Sequence, residues 1–417
     1  MLNVSRLLSL CLSTWLFVGV ACSNSPVAAP TASPPAKPAA GPPPSPSPAP
    51  SLAPAAAPSP SSSPLPVARL RTTDPAVHVF LWGNPSTTAR DLQLARDGGF
   101  NWVKQRFEWR NIEGKARGNF EWNEPDRIVS ALSQADLKII ARVDNQPRWA
   151  SSGVTWPGTG PPDDPQAWSD FLTALATRYK GRIQAYEIWN EPNLDREWGD
   201  KKPDPVAYTS MLKSSYQAIK AADPGAVVVT AGMSPTTTDN AQAMPDLEFL
   251  RQMYAAGARG NFDVLGVHAA GFKADPCADP SEVAQSPELT NNDPSAPDLK
   301  RIYAFRHVED VRALMTQQGD TDKQMAILEM GWTTDSRPGS QYAWFSVDRD
   351  QQAQNLVGAY QCARQMWQPW MSFMTVIYIP DPGWTQQQEQ YWWSITNPDG
   401  TPRPAYTALK GFFTTAQ

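Results

Sequence analysis

Two glutamates stand at the ends of apolar segments, where a carboxylate can do chemistry. Glu191 ends the segment YEIWNEPN, and Glu329 lies near the end of MAILEMGW. Burying a carboxylate at the end of an apolar strand costs free energy unless the group is paired or used. For either glutamate alone, a salt bridge explains its position as well as catalysis does. Two such carboxylates at one site would supply both an acid and a base or nucleophile.

The elements that must position these glutamates alternate between β-rich apolar runs and amphipathic helical runs. Eight strand candidates follow residue 67, namely VHVFLWG, NWVKQRFEW, LKIIARVD, IQAYEIWNE, AVVVTAGM, FDVLGVHA, QMAILEMGW and FMTVIYIP. Helix candidates such as PQAWSDFLTALATRYKG and LKRIYAFRHVEDVRALMTQQG lie between them, and a last helix starts at Ala405. Eight strand-helix pairs predict an α/β fold, a (β/α)8 TIM barrel that forms a single catalytic domain. A doubly wound open sheet is the alternative, although no glycine-rich phosphate loop follows any strand.

The order of the two glutamates along these strands carries further information. Glu191 falls on the fourth strand candidate and Glu329 on the seventh. YEIWNEPN resembles the acid/base segment of clan A glycoside hydrolases, and ILEMGW resembles their nucleophile segment. In that clan the two glutamates lie at the ends of strands four and seven of a (β/α)8 barrel. The segment WRNIE after strand two and the E-x-G-W pattern look nearest to family 39-like and family 5-like members.

This resemblance implies a retaining glycoside hydrolase that cleaves β-linked poly- or oligosaccharides by double displacement. Glu191 would be the general acid/base and Glu329 the nucleophile, about 5 to 5.5 Å apart. The chemistry needs no cofactor, and no His/Cys cluster has the spacing of a metal site. Two alternatives remain open: a surface lipoprotein that binds polysaccharide without cleaving it, and a transglycosylase that uses the same two glutamates.

Three polar residues are predicted to support this pair. By the resemblance, Asn190 matches the asparagine that hydrogen-bonds the sugar 2-hydroxyl, and His268 stands where the family often has His or Tyr near the nucleophile. A structural role explains His268 equally well. Arg106 on strand two either supports the charge of the nucleophile or forms a core ion pair with Glu187 or Glu108.

Aromatic residues are predicted to line a sugar-binding cleft, because flat aromatic faces pack well against the C–H faces of sugar rings. The chain has 17 tryptophans, most of which are expected in the core. The predicted cleft residues are Trp149, Trp332 and Trp384. The segment from residue 272 to 298, rich in Pro, Asp and Asn, is predicted to form a lid or cleft wall on the catalytic face.

The N-terminal part of the chain predicts export and tethering. Residues 1–21 have the pattern of a signal peptide, and the small residues before Cys22 resemble a bacterial lipoprotein signal, although Gly19 stands where that pattern usually has Leu. Residues 22–66 are predicted to be a disordered linker, since 16 of the 41 residues from Pro26 to Pro66 are proline. The catalytic domain is then residues 67–417. The expected location is extracytoplasmic, at a bacterial cell surface or in the periplasm, lipid-anchored at Cys22 or secreted.

The cysteines and the net charge bear on a possible disulfide and on the expected partners. An oxidising compartment permits a disulfide between Cys277 and Cys362, but two separate buried thiols are equally consistent with the sequence. The net charge is −5 and no Lys/Arg cluster stands out, which argues against nucleic acid as a partner. The expected partners are a carbohydrate substrate and, through the lipid, a membrane, with the protein as a monomer.

Overall fold

The computed structural model describes residues 69–415, which form a closed barrel of eight parallel strands in the order β1 to β8. Each strand pairs with the next in sequence, and β8 pairs with β1. The predicted (β/α)8 barrel is therefore confirmed. The strands are β1 (Asp74–His78), β2 (Trp102–Arg106), β3 (Lys138–Val143), β4 (Ala185–Ile188), β5 (Val227–Thr230), β6 (Val264–Ala270), β7 (Gln324–Gly331) and β8 (Met371–Val376).

One long helix follows each strand and packs on the outside of the barrel. Three of these helices begin with an Asp–Pro pair or an Asp cap, as at Asp164, Asp204 and Asp348, whose side chains accept hydrogen bonds from the first free backbone N–H groups. The helices are α1 (Pro85–Asp97), α2 (Asn123–Gln134), α3 (Pro165–Arg178), α4 (Pro205–Ala222), α5 (Asp246–Ala255), α6 (Val308–Gln317), α7 (Arg349–Met366) and α8 (Pro404–Thr415).

The inside of the barrel changes from apolar to charged along β2, β3 and β4. A small apolar cluster fills the lower half and includes Trp102 on β2, Ile140 on β3 and Ala185 on β4. Side chains two residues further along a strand point to the same side. The next inward residues are Lys104, Arg142 and Glu187, all buried. The apolar cluster is therefore followed by a layer of buried charges. This layer lies next to the loops at the carboxyl ends of the strands.

One prediction about the region between β6 and β7 needs revision. The helix predicted over LKRIYAFRHVEDVRALMTQQG is broken: a short helix (Pro297–Lys300) and two 3-10 turns (Arg301–Tyr303 and Phe305–His307) precede α6. Buried ring packing and the ion pairs of His307 with Asp246 and Asp310 hold this irregular path. Local helical periodicity cannot reveal such tertiary contacts.

The loop after β6 is tied to the barrel wall. Cys277 in this loop forms a disulfide with Cys362 on α7, with their Cα atoms 5.7 Å apart. Of the two alternatives left open by the sequence, the structure adopts the bridge. A disulfide that closes a loop of this length typically stabilises a fold by about 2–4 kcal/mol. The predicted lid or wall is therefore anchored at one point to an outer helix.

The signal peptide, Cys22 and the proline-rich linker lie outside residues 69–415, so their assignments remain predictions. Within residues 69–415, no helix combines the length and apolar character needed to cross a membrane.

Candidate active site

Glu329 lies at the end of β7 in a pocket of positive charge. Its Oε1 atom is 3.1 Å from Lys104 Nζ and 3.4 Å from an Arg142 guanidinium nitrogen. Lys104 also donates to Glu187, with Nζ 2.9 Å from Oε2, and to the backbone carbonyl of Leu328. Lys104 thus connects the β4 carboxylate Glu187 to the β7 carboxylate Glu329, which brings the two strands' charged residues together at one site.

The charges around Glu329 decide its protonation. Burial by itself raises the pKa of a carboxyl group, but Lys104, His268 and Arg142 together outweigh burial and hold the pKa of Glu329 far below its usual value. Glu329 is consequently an anion at neutral pH. An anion fixed by directional donors at a strand end is suited to act as a nucleophile.

His78 on β1 lies on the other side of Glu329. Its Nδ1 atom is 3.9 Å from Glu329 Oε1, and burial together with the nearby charge of Lys104 lowers its pKa well below the ordinary histidine value. The ring is therefore neutral. Neither ring nitrogen has a hydrogen-bond partner among the described residues, and both are buried beside Glu329.

Glu191 follows β4 on a backbone of unusual conformation. Trp189 and Glu191 both have positive φ, 71° and 38°, which is rare for residues with a side chain. Hydrogen bonds hold this path, from Trp189 N to the carbonyl of Val143 and from Glu191 N to the carbonyl of Gly232. Such local strain is concentrated at functional sites, where the surrounding structure holds it in place.

The loop beyond Glu191 is braced from within. The buried Asn193 amide donates to the carbonyl oxygens of Ser234 and Met244 and accepts from Ser234 N. These bonds join the loop after β4 to the loop after β5. The N-E-P-N segment is consequently a rigid support for its glutamate, and Asn193 is the residue that fixes it.

The Glu191 carboxylate contacts His268 and Arg196. His268 Nδ1 on β6 is 3.0 Å from Oε1, and an Arg196 guanidinium nitrogen is 2.9 Å from Oε2. Gly232 makes the histidine contact possible, because a Cβ atom at Gly232 would lie 2.1 Å from the His268 ring. His268 pairs in register with Glu329 on β7, so it lies between the two glutamates. The sequence placed it near the nucleophile, whereas its direct hydrogen bond is to Glu191.

Asn190 is buried next to Glu191. Its side-chain nitrogen is 3.4 Å from Glu197 Oε1, while its side-chain oxygen has no hydrogen-bond partner among the described residues. A buried amide oxygen without a partner costs free energy unless a ligand or water satisfies it. This arrangement fits the predicted contact with a sugar hydroxyl, which remains a prediction.

A third carboxyl group, Glu389, lies close to both glutamates. It follows β8, and the indole nitrogen of Trp393 donates to its Oε1. Burial, together with the charges of Asp335, Glu329 and Glu191, raises the pKa of Glu389 to about 8. Near neutral pH this side chain is therefore an uncharged carboxylic acid at the edge of the site.

The predicted cleft tryptophans lie in different environments. Trp384 packs on Phe80 and Tyr378, with ring centroids 4.5 and 5.3 Å apart, and Phe80 stacks on His78 beside Glu329. Trp384 is thus placed at the site. Trp332 is wholly buried, packed on Phe305, and fits only because Gly271 has no side chain. The prediction that Trp332 lines the cleft is wrong, because this ring fills the core behind β7.

Trp149 and Arg106 are held by neighbours outside the glutamate pair. Trp149 is half-buried, donates from its indole nitrogen to the carbonyl of Glu113, and packs edge-on against the core residue Trp109. Arg106 forms ion pairs with Glu108 and Asp144, at 3.0 and 3.7 Å. Of the roles open to Arg106, the ion pair with Glu108 is observed, while Lys104 and Arg142 contact Glu329.

Several residues of the site were missed by the sequence analysis. Arg142 carried a signal, because it is a cation within the apolar run IIARV. Lys104 lies in the mixed strand WVKQR, where only its alternation with Trp102 marks it as inward-facing. Arg196 and Glu389 lie in loops and carried none. Among residues 69–415, no cluster of His, Cys, Asp and Glu is arranged to hold a metal ion.

Comparisons with known proteins agree with this geometry. The family model for Cellulase (glycosyl hydrolase family 5) matches residues 61–305, more than half of the chain, a range that includes Glu191 and ends before Glu329. A β-xylosidase from Geobacillus stearothermophilus is 25% identical over 144 residues, which cover 31% of this chain and only 28% of that protein.

Solved structures share the fold. A family 39 glycoside hydrolase from Bacteroides cellulosilyticus WH2 superposes with a TM-score of 0.62 at 18% identity, covering 83% of this chain and 64% of its own. A GH5_18 protein from Streptomyces cattleya, solved with GlcNAc, has a TM-score of 0.60 at 13% identity, with 84% and 82% covered. The family model confirms the resemblance to clan A stated from the sequence, and the chain belongs to glycosyl hydrolase family 5.

Proposed function

We propose that this protein is a retaining glycosidase that cleaves β-linked poly- or oligosaccharides, with Glu329 as nucleophile and Glu191 as general acid/base. The observation that carries the proposal is the contrast between the two carboxylates. Lys104 and Arg142 bind Glu329 and keep it ionised, whereas His268 and Arg196 hold Glu191 on a rigid loop across the same site. One carboxylate is suited to attack a carbon, and the other to exchange a proton.

In the first step, an oxygen of Glu329 bonds to the anomeric carbon as the bond from that carbon to the glycosidic oxygen breaks. The proton of Glu191 passes to the departing oxygen, which leaves as an alcohol. Lys104 and Arg142 fix the attacking carboxylate in place. Their ion pairs with Glu329 weaken as its charge falls. His78 and Asn190 have unsatisfied polar atoms that would bind sugar hydroxyls at this stage.

In the second step, Glu191 is a carboxylate and takes a proton from water. The water oxygen bonds to the anomeric carbon, the ester bond to Glu329 breaks, and its electron pair returns to the Glu329 carboxylate. Two displacements at the same carbon restore the original configuration. Arg196 and His268 stabilise the charge that Glu191 carries in this step.

Transglycosylation differs only in the acceptor, because a sugar hydroxyl in place of water would take the glycosyl group from Glu329. The choice depends on how well the site binds a second sugar relative to water. A protein that binds polysaccharide without cleaving it has no use for the buried Lys104–Glu329 pair, whose burial costs free energy. Hydrolysis is therefore the proposal, and transglycosylation the second candidate.

The proposal includes a location and a tether. Export by residues 1–21, acylation at Cys22 and a spacer over residues 22–66 would hold the barrel outside the cytoplasm, at a bacterial cell surface or in the periplasm. The Cys277–Cys362 disulfide supports an oxidising compartment. A single barrel that carries its own site is proposed to act as a monomer.

The test is release of reducing ends from a panel of β-glucans, xylans, mannans and microbial exopolysaccharides. The full-length protein is compared with Glu191→Gln and Glu329→Gln, and Glu288→Gln, which alters an exposed carboxyl, is the control. We expect the control to match the parent and both site variants to lose activity by on the order of 10³-fold or more. Activity that survives Glu329→Gln would rule out the nucleophile assignment. Binding across the panel without cleavage would favour the non-catalytic alternative.

A further inference from the structure

One exposed tryptophan stands apart from the catalytic residues. Trp156 is 45% exposed and is the sole aromatic among the strongly exposed large apolar side chains within residues 69–415. Leaving a large aromatic ring in water forgoes the free energy of burial. A ligand that covered the ring would recover that free energy.

Trp156 lies on the catalytic face of the barrel. It belongs to the loop between β3 and α3, and the loops that follow the strands of such a barrel gather at the face where the carboxyl ends of the strands emerge. Glu191 and Glu329 lie at this same face. Trp156 is thus placed where a long substrate would extend beyond the catalytic pair.

The ring is supported from behind by a cation. The Arg110 guanidinium carbon lies 5.0 Å from the Trp156 ring centroid. The same guanidinium donates to the carbonyl of Pro157 at 2.7 Å and to Thr159 Oγ1 at 3.1 Å. Thr159 in turn donates to Asn145 Oδ1. An exposed ring on a loop fixed in this way loses little entropy when a ligand binds.

The Trp156 loop is also joined to the loop that carries the acid/base. Gly199 N donates to the carbonyl of Thr159 at 2.7 Å. Gly160 packs directly on Gly199, since a Cβ atom at Gly160 would lie 2.8 Å from the Gly199 Cα. Arg110 extends the connection inward through Glu108, 3.8 Å away. The position of Trp156 relative to the catalytic loop is therefore set by direct contacts.

We infer that Trp156 is a distal sugar-binding platform on which a pyranose ring of a β-linked chain stacks, several sugars away from the bond that is cleaved. This inference rests on the proposed function and deepens it, because it names a polymeric substrate. A flat indole face matches the C–H face of a pyranose ring. The charge behind the indole fixes its orientation without competing for the sugar.

A second tryptophan provides a matched control. Trp370 is half-buried and has a cation, Arg312, 5.5 Å from its ring centroid. It immediately precedes β8, so it lies at the opposite end of the barrel. Trp370 shares the cation-backed geometry of Trp156 but not its face.

The experiment measures binding and cleavage separately, using full-length protein. Binding of cellohexaose, xylohexaose and mannohexaose, and of the matching disaccharides, is measured by titration calorimetry in the Glu329→Gln background, with and without Trp156→Ala or Trp370→Ala. KM and kcat for the hexaose that binds best are then measured with Glu329 intact. We expect Trp156→Ala to weaken hexaose binding and raise KM by roughly threefold to tenfold. Disaccharide binding and kcat should stay unchanged, and Trp370→Ala should match the parent.

The other possible results show whether the platform or the proposed function is wrong. Hexaose binding that is unaffected by Trp156→Ala, or disaccharide and hexaose binding that fall together, would overturn the platform. An absence of binding to all three hexaoses in the parent would overturn it as well. A parent that binds a hexaose through Trp156 but leaves it uncleaved would support the platform and contradict the proposed function.

Discussion

The surroundings of Glu329 and Glu191 differ although both are glutamates at the ends of barrel strands. Glu329 lies above a buried layer of cations, with Lys104 Nζ at 3.1 Å, and its charge is fixed. Glu191 lies on a strained loop with φ of 38°, and it contacts His268 on β6 and Arg196, which is partly exposed to solvent. Two buried cations on barrel strands contact Glu329, whereas a strand histidine and a loop arginine contact Glu191.

This difference separates two chemical tasks. A nucleophile needs a permanent charge, which buried cations on neighbouring strands provide. An acid/base must gain and lose a proton in each cycle, so its partners must tolerate both forms. A histidine and a solvent-facing arginine can adjust to that change more easily than a buried lysine.

The largest effect that would sharpen this comparison is expected at Glu191. In Glu191→Ala, cleavage of substrates with poor leaving groups should fall by on the order of 10³-fold, because proton donation is lost. Dinitrophenyl glycosides need no proton, so their first step should persist, and added azide should restore turnover as a glycosyl azide of retained configuration. The same assay on Glu329→Ala provides the contrast. Retained product with azide in Glu329→Ala, instead of inverted product, would exchange the two roles.

A smaller effect is expected at Lys104. In Lys104→Met, Glu329 loses its nearest cation, so the pKa of Glu329 should rise and kcat/KM should fall by about 10²-fold, most strongly at acid pH. The measurement is the pH profile of kcat/KM. Lys323→Met is the control, since Lys323 is a partly buried lysine at the opposite end of β7.

Lys104→Met also leaves Glu187 without its partner in the core, which costs about 3 kcal/mol and threatens folding. The double variant Lys104→Met/Glu187→Gln removes that buried charge. If the double variant folds and its kcat/KM falls at acid pH as in the parent, Lys104 does not set the charge of Glu329.

The smallest effect is expected at Glu389. Because the pKa of Glu389 is about 8, the parent should lose activity by a few fold as pH rises through 8, when a new negative charge appears beside Glu329 and Glu191. In Glu389→Gln this alkaline limb should move to higher pH. Glu288→Gln, which alters an exposed carboxyl, should leave the limb in place.

The pH dependence of the free energy of unfolding gives a second measure of the raised pKa of Glu389. The native state holds the proton of Glu389 more tightly than the unfolded chain does, so this group lowers stability as pH rises from 4.5 to about 8. Denaturant unfolding at pH 5 and pH 8 should show a smaller pH dependence in Glu389→Gln than in the parent. An identical dependence in both proteins would contradict the assigned environment.

The sequence predicted the scaffold well because its signals are local. Parallel strands buried on both faces read as apolar runs, so all eight strands, the last helix and both glutamates were found in the correct order. The broken path before α6 was missed because the ion pairs of His307 are contacts between distant segments.

The site was predicted only in part, for the same reason. Trp332 follows Glu329 closely in sequence, yet its ring turns into the core behind β7 because Gly271 leaves space there. Arg142 stood out as a charge within an apolar strand. The alternation of side chains along β2 and β3 would have placed both Lys104 and Arg142 inside the barrel. Arg196, Glu389 and Trp156 lie on loops, whose paths depend on contacts that no sequence pattern encodes.

The central claim is that Glu329 forms the covalent bond to the sugar. Full-length protein would be incubated with a panel of 2-deoxy-2-fluoro glycosyl fluorides of gluco, xylo and manno configuration, digested, and its peptides mapped by mass spectrometry. The account predicts one added fluoroglycosyl group on the peptide that contains Glu329, and none in Glu329→Gln. A label on Glu191 or Glu389, or an unlabelled protein that still cleaves its substrate, would contradict it.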